Sequence, residues 1–182
     1  MAKRAAAFLD RDGVLLRFVD HLSDPGRVRL LAGACAAVRL LRRAGLPVIV
    51  ISNQPAVARG LLDERGLAEI HARMLAALRR GGARLDAAYY CPHHPDFGRR
   101  CRCRKPGTAM LEAAARRFGL DLRASWLVGD TTVDLKTARN AGCVGLLVRT
   151  GRGGRDRKFA VRPARSFRNL LAAARWIVSR SS

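Results

Sequence analysis

Aromatic residues make up only 5% of this 182-residue chain, and lysine supplies just four of its 35 basic residues. So few aromatic rings leave no stacking platform of the kind that holds single-stranded nucleic acid. So few lysines among many arginines, in a chain rich in alanine, is a pattern that compositional bias also produces. Acids are scarce as well: Asp and Glu total 14, the formal charge is +21, and a polyanionic partner is therefore allowed. Ten of the basic residues fall between Arg149 and Arg180, where Asp156 is the sole acid. Long apolar runs are missing. The apolar stretch after Arg4 is broken by Asp10, Arg11 and Asp12, so neither an export signal nor a membrane span is read, and a soluble, cytoplasmic protein without membrane contact is expected. Five cysteines, an odd number, do not make a disulfide framework. Three of them, Cys91, Cys101 and Cys103, crowd beside His93 and His94, which favours a metal. Neither an internal repeat nor an interdomain linker is visible, and the length suits one core, so residues 1–182 are expected to form a single domain.

What is present alternates short apolar β-type runs with longer helical ones, the pattern of a parallel sheet with crossover helices on both faces, an α/β Rossmann-like fold. Strands are expected at residues 5–9, 47–52, 87–90, 125–128 and 144–148. Helices are expected at 34–44, at 64–80 with Asp63 as N-cap and Gly81 as stop, at 109–118 ending at Gly119, and at 132–140 ending at Gly142. A basic amphipathic helix is expected near 166–180, with Leu170, Leu171, Ala174 and Ile177 on one face. Residues 151–157, rich in Gly and Arg, read as a surface loop before it.

Polar residues collect where these strands end. Strand one runs into Asp10 and Asp12, strand two into Ser52 and Asn53, strand four into Gly129 and Asp130. In an open parallel sheet these ends share one crevice. Two carboxylates two residues apart, with Gly13 to turn the backbone away, and Asp130 as a third acid make a reasonable Mg²⁺ site, because Mg²⁺ is held by a few carboxylates while keeping positions for water and phosphate oxygen. An Asp-x-Asp-Gly tetrapeptide alone also occurs in turns and calcium loops. Here it is followed in order by Ser52-Asn53-Gln54, Arg104-Lys105-Pro106 and Gly129-Asp130 with Asp134, each at a junction leading into a helix. Asp134 is placed to orient Lys105 or a metal-bound water, or to serve as a first-turn acid.

A second cluster is Cys91-Pro-His93, a gap of seven residues, then Cys101-Arg-Cys103. Three thiolates and one imidazole make a closed tetrahedral set, the makeup of structural Zn²⁺, which would pin a polar loop; a Cys101/Cys103 redox pair and loose surface thiols are the alternatives, and His94 is an alternative ligand to His93. Cys35 and Cys143 read as core fillers.

The four motifs from Phe8 to Asp134 resemble the signature motifs of the haloacid dehalogenase superfamily of phosphohydrolases. That resemblance implies Asp10 as a nucleophile forming an aspartyl-phosphate and Asp12 as the acid that protonates the leaving oxygen and then activates water. It implies Ser52 and the Asn53 backbone as phosphoryl binders, Lys105 as charge neutraliser, and Asp10, Asp130 and the Asp12 carbonyl as Mg²⁺ ligands. Electrostatics agrees: a carboxylate approaches a dianionic phosphate only when a cation cancels the repulsion. The run Cys91-Pro-His93-His94-Pro95 with Cys101-Arg-Cys103-Arg104-Lys105-Pro106, together with Ala58-Arg59-Gly60, resembles a narrower branch, the D,D-heptose 1,7-bisphosphate and histidinol-phosphate phosphatases. In that branch a zinc-pinned loop stands in place of a large cap domain. The implied substrate is a small phosphorylated sugar, most directly the 7-phosphate of D-glycero-D-manno-heptose 1,7-bisphosphate; a small, capless chain is by default expected to be a monomer. Arg59 and Arg104 are the implied substrate contacts, with Arg99, Arg100 and Arg102 adding a cationic rim. Four residues depart from the heptose pattern: Leu16 stands where an Asn is usual, His21-Leu22 where a Gly-Tyr pair falls, and Thr131 where a Lys follows the motif-four Asp. Histidinol phosphate, a polynucleotide 3′-phosphate, for which the charge would suit a phosphate backbone, and a basic zinc-containing binding module without activity are the competing readings. A pure binder has no use for the intact set Asp10, Asp12, Ser52, Lys105 and Asp130.

Overall fold

The computed structural model describes residues 3–98 and 101–181; Arg99 and Arg100 of the expected cationic rim lie outside the described residues. Six strands, β1 (Ala7–Leu9), β2 (Val48–Asn53), β3 (Ala87–Cys91), β4 (Trp126–Gly129), β5 (Val144–Val148) and β6 (Arg165–Phe167), form one sheet in the order β3-β2-β1-β4-β5-β6. Every pairing is parallel.

A parallel sheet is covered on both faces, which is why the run from Val48 to Ile51 is apolar without alternation. The pleat still sorts its side chains. Ala7, Leu9, Val48 and Val50 face a layer built from α1 (Ala34–Arg43), α3 (Glu64–Arg80) and α6 (Leu170–Val178). Ala6, Phe8, Ile49 and Ile51 face α4 (Ala109–Phe118) and Ala138 of α5 (Thr132–Ala141). The expected α/β Rossmann-like sheet with helices on both faces is thus what the chain forms. Its local signals behave as read: the Asp63 side chain accepts from Gly66 N to open α3, and left-handed Gly119 and Gly142 close α4 and α5. No helix among the described residues is long and apolar enough to cross a membrane.

Two elements escaped the sequence pattern. Residues 165–167, at the expected start of the last helix, form β6 instead, paired Leu146↔Arg165 and Val148↔Phe167. The open edge of β5 offers unpaired backbone groups, and a three-residue strand satisfies them without leaving a readable period. The last helix begins only at Leu170, where the Asn169 side chain accepts from Ala172 N. The one-turn α2 (Pro55–Ala58) is likewise too short for periodicity to reveal.

Strand order reverses at β1, flanked by β2 and β4, so the crevice lies beyond the carboxyl ends of β1 and β4. Among the described residues, the connections that could cover it carry only α2 and the 3-10 turns Pro25–Arg27 and Pro95–Phe97, and the crevice stays open.

Candidate active site

Asp10 follows β1 directly, its N–H bonded to Val128 O of the neighbouring β4 at 3.0 Å. Its Oδ1 accepts from Arg11 N at 2.7 Å and pairs with Lys105 Nζ at 3.0 Å. The same ammonium meets Asp134 Oδ1 at 2.5 Å. Asp134 therefore fills both roles its sequence position allowed. Its Oδ2 accepts from Thr131 N and Oγ1 in the capping box that opens α5, while Oδ1 orients the lysine. Burial alone would push Lys105 towards neutrality, but the carboxylates of Asp10 and Asp134 outweigh it and hold the ammonium above its ordinary value. Lys105 is delivered from a different loop, and Asn53 fixes it there: Nδ2 donates to Lys105 O at 3.1 Å and Oδ1 accepts from Lys105 N at 2.9 Å. The Asn53 side chain, for which the sequence suggested no role, is thus a brace for the lysine.

Asp130, at the end of β4, accepts from Arg152 N at 2.6 Å and makes no ion pair among the described residues, the Lys105 ammonium being committed to Asp10 and Asp134. Burial first, and then the carboxylates of Asp10 and Asp134, push it up to about 8. Gly13 and Gly151, both at positive φ, close on its carboxylate from two sides, so a Cβ at either would overlap it. Asp10, Asp130 and Asp134 form one tight group of carboxylates with Lys105 as the ammonium among them. Since Asp134 is fully engaged, the oxygens left over belong to Asp10 and Asp130. Three carboxylates answered by one ammonium, with free oxygens on Asp10 and Asp130 facing a cleft, fit a hard divalent cation.

Asp12 points elsewhere. Its carboxylate is forked by Arg11, with Nε 3.2 Å from both oxygens and NH2 2.9 Å from Oδ2. Gln54 Nε2 donates to the same Oδ2 at 3.0 Å and to Ser52 Oγ at 2.9 Å, and Gln54 Oε1 accepts from Arg11 NH2 at 2.7 Å. Ser52 is buried at the end of β2, facing the crevice as expected.

These groups line a cleft of about 410 Å³. On its outer wall, Arg104 NH1 donates to His93 O at 2.9 Å, and Arg59 lies over the Phe97 ring at 4.7 Å. Arg152 and Lys158 line the cleft as well, Arg152 pairing with Asp20 at 3.7 Å and covering Phe18 at 4.8 Å. The segment expected as a surface loop is therefore part of the site: Gly154 N donates to Asp130 O at 2.7 Å, and Asp156 accepts from both Thr132 N and Oγ1. Applying the strand-end rule to β5, which neighbours β4, would have found it. Arg11 and Gln54 carried no signal of their own beyond lying inside motifs noticed for other residues.

The second cluster assembles without touching the cleft. Cys91 Sγ lies 3.5 Å from Cys101 Sγ, and Cys103 Sγ lies 3.2 and 3.3 Å from those two. His93 Nδ1 is 3.7 Å from Cys91 Sγ and 3.3 Å from Cys103 Sγ. A tetrahedron with Zn–S arms of about 2.3 Å has edges of roughly 3.8 Å, so four donors at these separations fit such an ion after slight expansion. His94 does not join this set, and its Nδ1 accepts from Asp96 N at 3.2 Å instead. Cys143 is buried in the core as read, and Cys35 is half-buried against it.

Residues 102–173 match the HAD-hydrolase-like family model. The chain is 42% identical over 146 residues, covering 80% of each protein, to the D-glycero-β-D-manno-heptose-1,7-bisphosphate 7-phosphatase of Bordetella bronchiseptica. It is 40% identical over 187 residues, 96% of this chain and 95% of the relative, to the D-glycero-D-manno-heptose-1,7-bisphosphate 7-phosphatase of Thermosynechococcus vestitus. The crystal structure of the D,D-heptose 1,7-bisphosphate phosphatase from B. bronchiseptica, complexed with magnesium and phosphate, superposes with a TM-score of 0.88 at 37% identity, over 97% of this chain and 99% of that one. Sequence, fold and site agree, and the chain belongs to the haloacid dehalogenase-like hydrolases, in the branch of the D,D-heptose 1,7-bisphosphate phosphatases.

Proposed function

We propose that this protein is a Mg²⁺-dependent phosphomonoesterase that removes the 7-phosphate of D-glycero-D-manno-heptose 1,7-bisphosphate through an aspartyl-phosphate on Asp10, with Zn²⁺ as a structural ion on Cys91, His93, Cys101 and Cys103. The observation that carries it is the division of labour around Asp10: one oxygen is committed to Arg11 N and Lys105, and the other is left for chemistry at the floor of an open cleft.

The free Asp10 oxygen attacks phosphorus as the bond to the C7 oxygen breaks, and Asp12 gives that oxygen a proton. Asp12 then takes a proton from water, whose oxygen attacks the same phosphorus, returning Asp10 to a carboxylate and releasing inorganic phosphate. Lys105, locked by Asp134 and braced by Asn53, meets the charge on the phosphoryl oxygens with little reorganisation, and Ser52 donates to one of them. Asp10, Asp130 and the Asp12 carbonyl would hold Mg²⁺, which would supply the remaining positive charge against the phosphoryl group. Arg104 and Arg59, on the outer wall, suit the second phosphate, for which a planar guanidinium is a good bidentate donor. The names of the B. bronchiseptica and T. vestitus relatives favour the heptose over histidinol phosphate or a polynucleotide end. A small sugar phosphate and free thiols also accord with a cytoplasmic enzyme.

The deciding experiment is phosphate release with Mg²⁺ from both anomers of the heptose bisphosphate, histidinol phosphate and a 3′-phosphorylated oligonucleotide. Preference for the β-anomer is expected. Faster release from the oligonucleotide, falling steeply with salt, would overturn the substrate.

A further inference from the structure

Arg11 has one of the largest side chains fully withdrawn from solvent, 1% exposed, and the reaction as described does not use it. Burying a guanidinium is costly unless a counter-charge and hydrogen bonds answer it. Its neighbours identify that counter-charge. Gln54 is uncharged. Tyr90, whose ring lies under the guanidinium at 5.8 Å, is pushed up to about 12 by burial and stays a phenol. His71, bonded to the Tyr90 hydroxyl at 2.7 Å, is pushed down by burial and then by Arg11 itself, and adds no negative charge. Asp10, the other acid close by, is already paired with Lys105. Asp12 is what remains, forked through Nε and NH2, while Arg11 NH1 is buried with no hydrogen-bond partner among the described residues. The two buried cations thus divide the carboxylates between them, Lys105 taking Asp10 and Asp134, Arg11 taking Asp12.

We propose that Arg11, together with Gln54, is a positioning residue that holds the Asp12 carboxylate in one orientation and keeps it off Lys105 and the nucleophile. This rests on Asp12 being the acid–base group. Without the clamp, a free carboxylate two residues from Asp10 competes for the same ammonium, and the proton on its way to the leaving oxygen is misplaced.

Two measurements on the Mg²⁺-loaded enzyme test the idea. Arg11→Met is expected to lower kcat on the heptose bisphosphate roughly a hundredfold with little change in KM, the usual scale of acid–base assistance. It should fall far less with p-nitrophenyl phosphate, whose leaving group needs no proton. Arg11→Lys, keeping the charge without the fork, should lie between. Equal losses on both substrates, or no loss, overturn the proposal. Thermal melting supplies the second readout: Asp12→Asn strands the buried guanidinium and should melt lower than wild type, and Arg11→Met/Asp12→Asn should recover part of that fall. No recovery overturns the pairing. Should Arg11→Met fail to fold, Gln54→Met carries the same leaving-group test with a smaller expected loss. An Asp12→Asn enzyme fully active on the sugar would refute the acid–base reading itself, whereas an inactive Asp12→Asn beside a wild-type-like Arg11→Met refutes only the role of Arg11.

Discussion

Among the described residues, two clusters of metal-ligating side chains stand out, and they are built on opposite principles. Around Asp10, Asp130 and Asp134 the donors are oxygens, several already hydrogen-bonded to the protein, and the group opens on the cleft. Around Cys91, His93, Cys101 and Cys103 the donors are three sulfurs and a nitrogen, all facing one another, and none of the four lines the cleft. An open set leaves positions for substrate and water; a closed set leaves none and can only hold chain segments together. The loop that the second set closes ends at Arg104 and Lys105, so the closed cluster serves the open one by fixing where its lysine starts.

The comparison breaks most sharply at the nucleophile. Asp10→Asn should lose turnover on the order of 10⁵-fold while melting near the wild-type temperature, as measured by phosphate release and circular dichroism. A variant that turns over steadily would mean that the open cluster does not use Asp10 covalently. Lys105→Ala should cost roughly 10²–10³ in kcat with a small effect on KM, because the ammonium acts on transition-state charge. Gly151→Ala puts a methyl group against Asp130 at a positive-φ position, and it should raise the half-saturating Mg²⁺ concentration about tenfold or more, read from rates against Mg²⁺. Cys103→Ser, in the closed cluster, should release zinc and lower the melting temperature by roughly 10 °C, the scale of a few kcal/mol in a chain of this size. Zinc-free protein with an unchanged melting temperature would remove the contrast between the clusters.

The smallest effect concerns protons. Asp130 ionises near 8 in the folded, metal-free protein, well above the value of about 4 expected when unfolded. Between those values the folded state binds the extra proton, so this group's contribution to stability is full at low pH and is lost as pH rises towards 8. Mg²⁺ must displace that proton. The rise in melting temperature on adding Mg²⁺ should therefore be larger at pH 8.5 than at pH 6, by a few degrees in differential scanning fluorimetry. A rise independent of pH would place the ion away from Asp130.

Much of the site was readable because its parts are short and local. Asp10 with Asp12, Ser52 with Asn53, and Cys101 with Cys103 each sit within three residues, and the strand-end rule brings such pieces to one crevice without any coordinates. What could not be read were groups whose role depends on a partner distant in the chain. Arg11 meets Gln54 across 43 positions, and Arg152 meets Asp130 across 22. Neither pair leaves a spacing that a scan of motifs would register. The strand at 165–167 and the single turn at 55–58 escaped for a related reason, being too short for a hydrophobic pattern to repeat.

Sequence by itself determined the parallel α/β sheet, the helix ends at Gly119 and Gly142, and the residue types able to hold an oxygen-liganded and a sulfur-liganded ion, because these follow from local periodicity, capping chemistry and the donors each side chain carries. Only the tertiary structure decided which cation answers which carboxylate, that His93 rather than His94 completes the thiolate cluster, and that the glycine-rich surface segment after β5 also walls the cleft. Those outcomes depend on distances of a few ångströms between groups that the chain order keeps far apart, and electrostatic and hydrogen-bond energies are decided at that range.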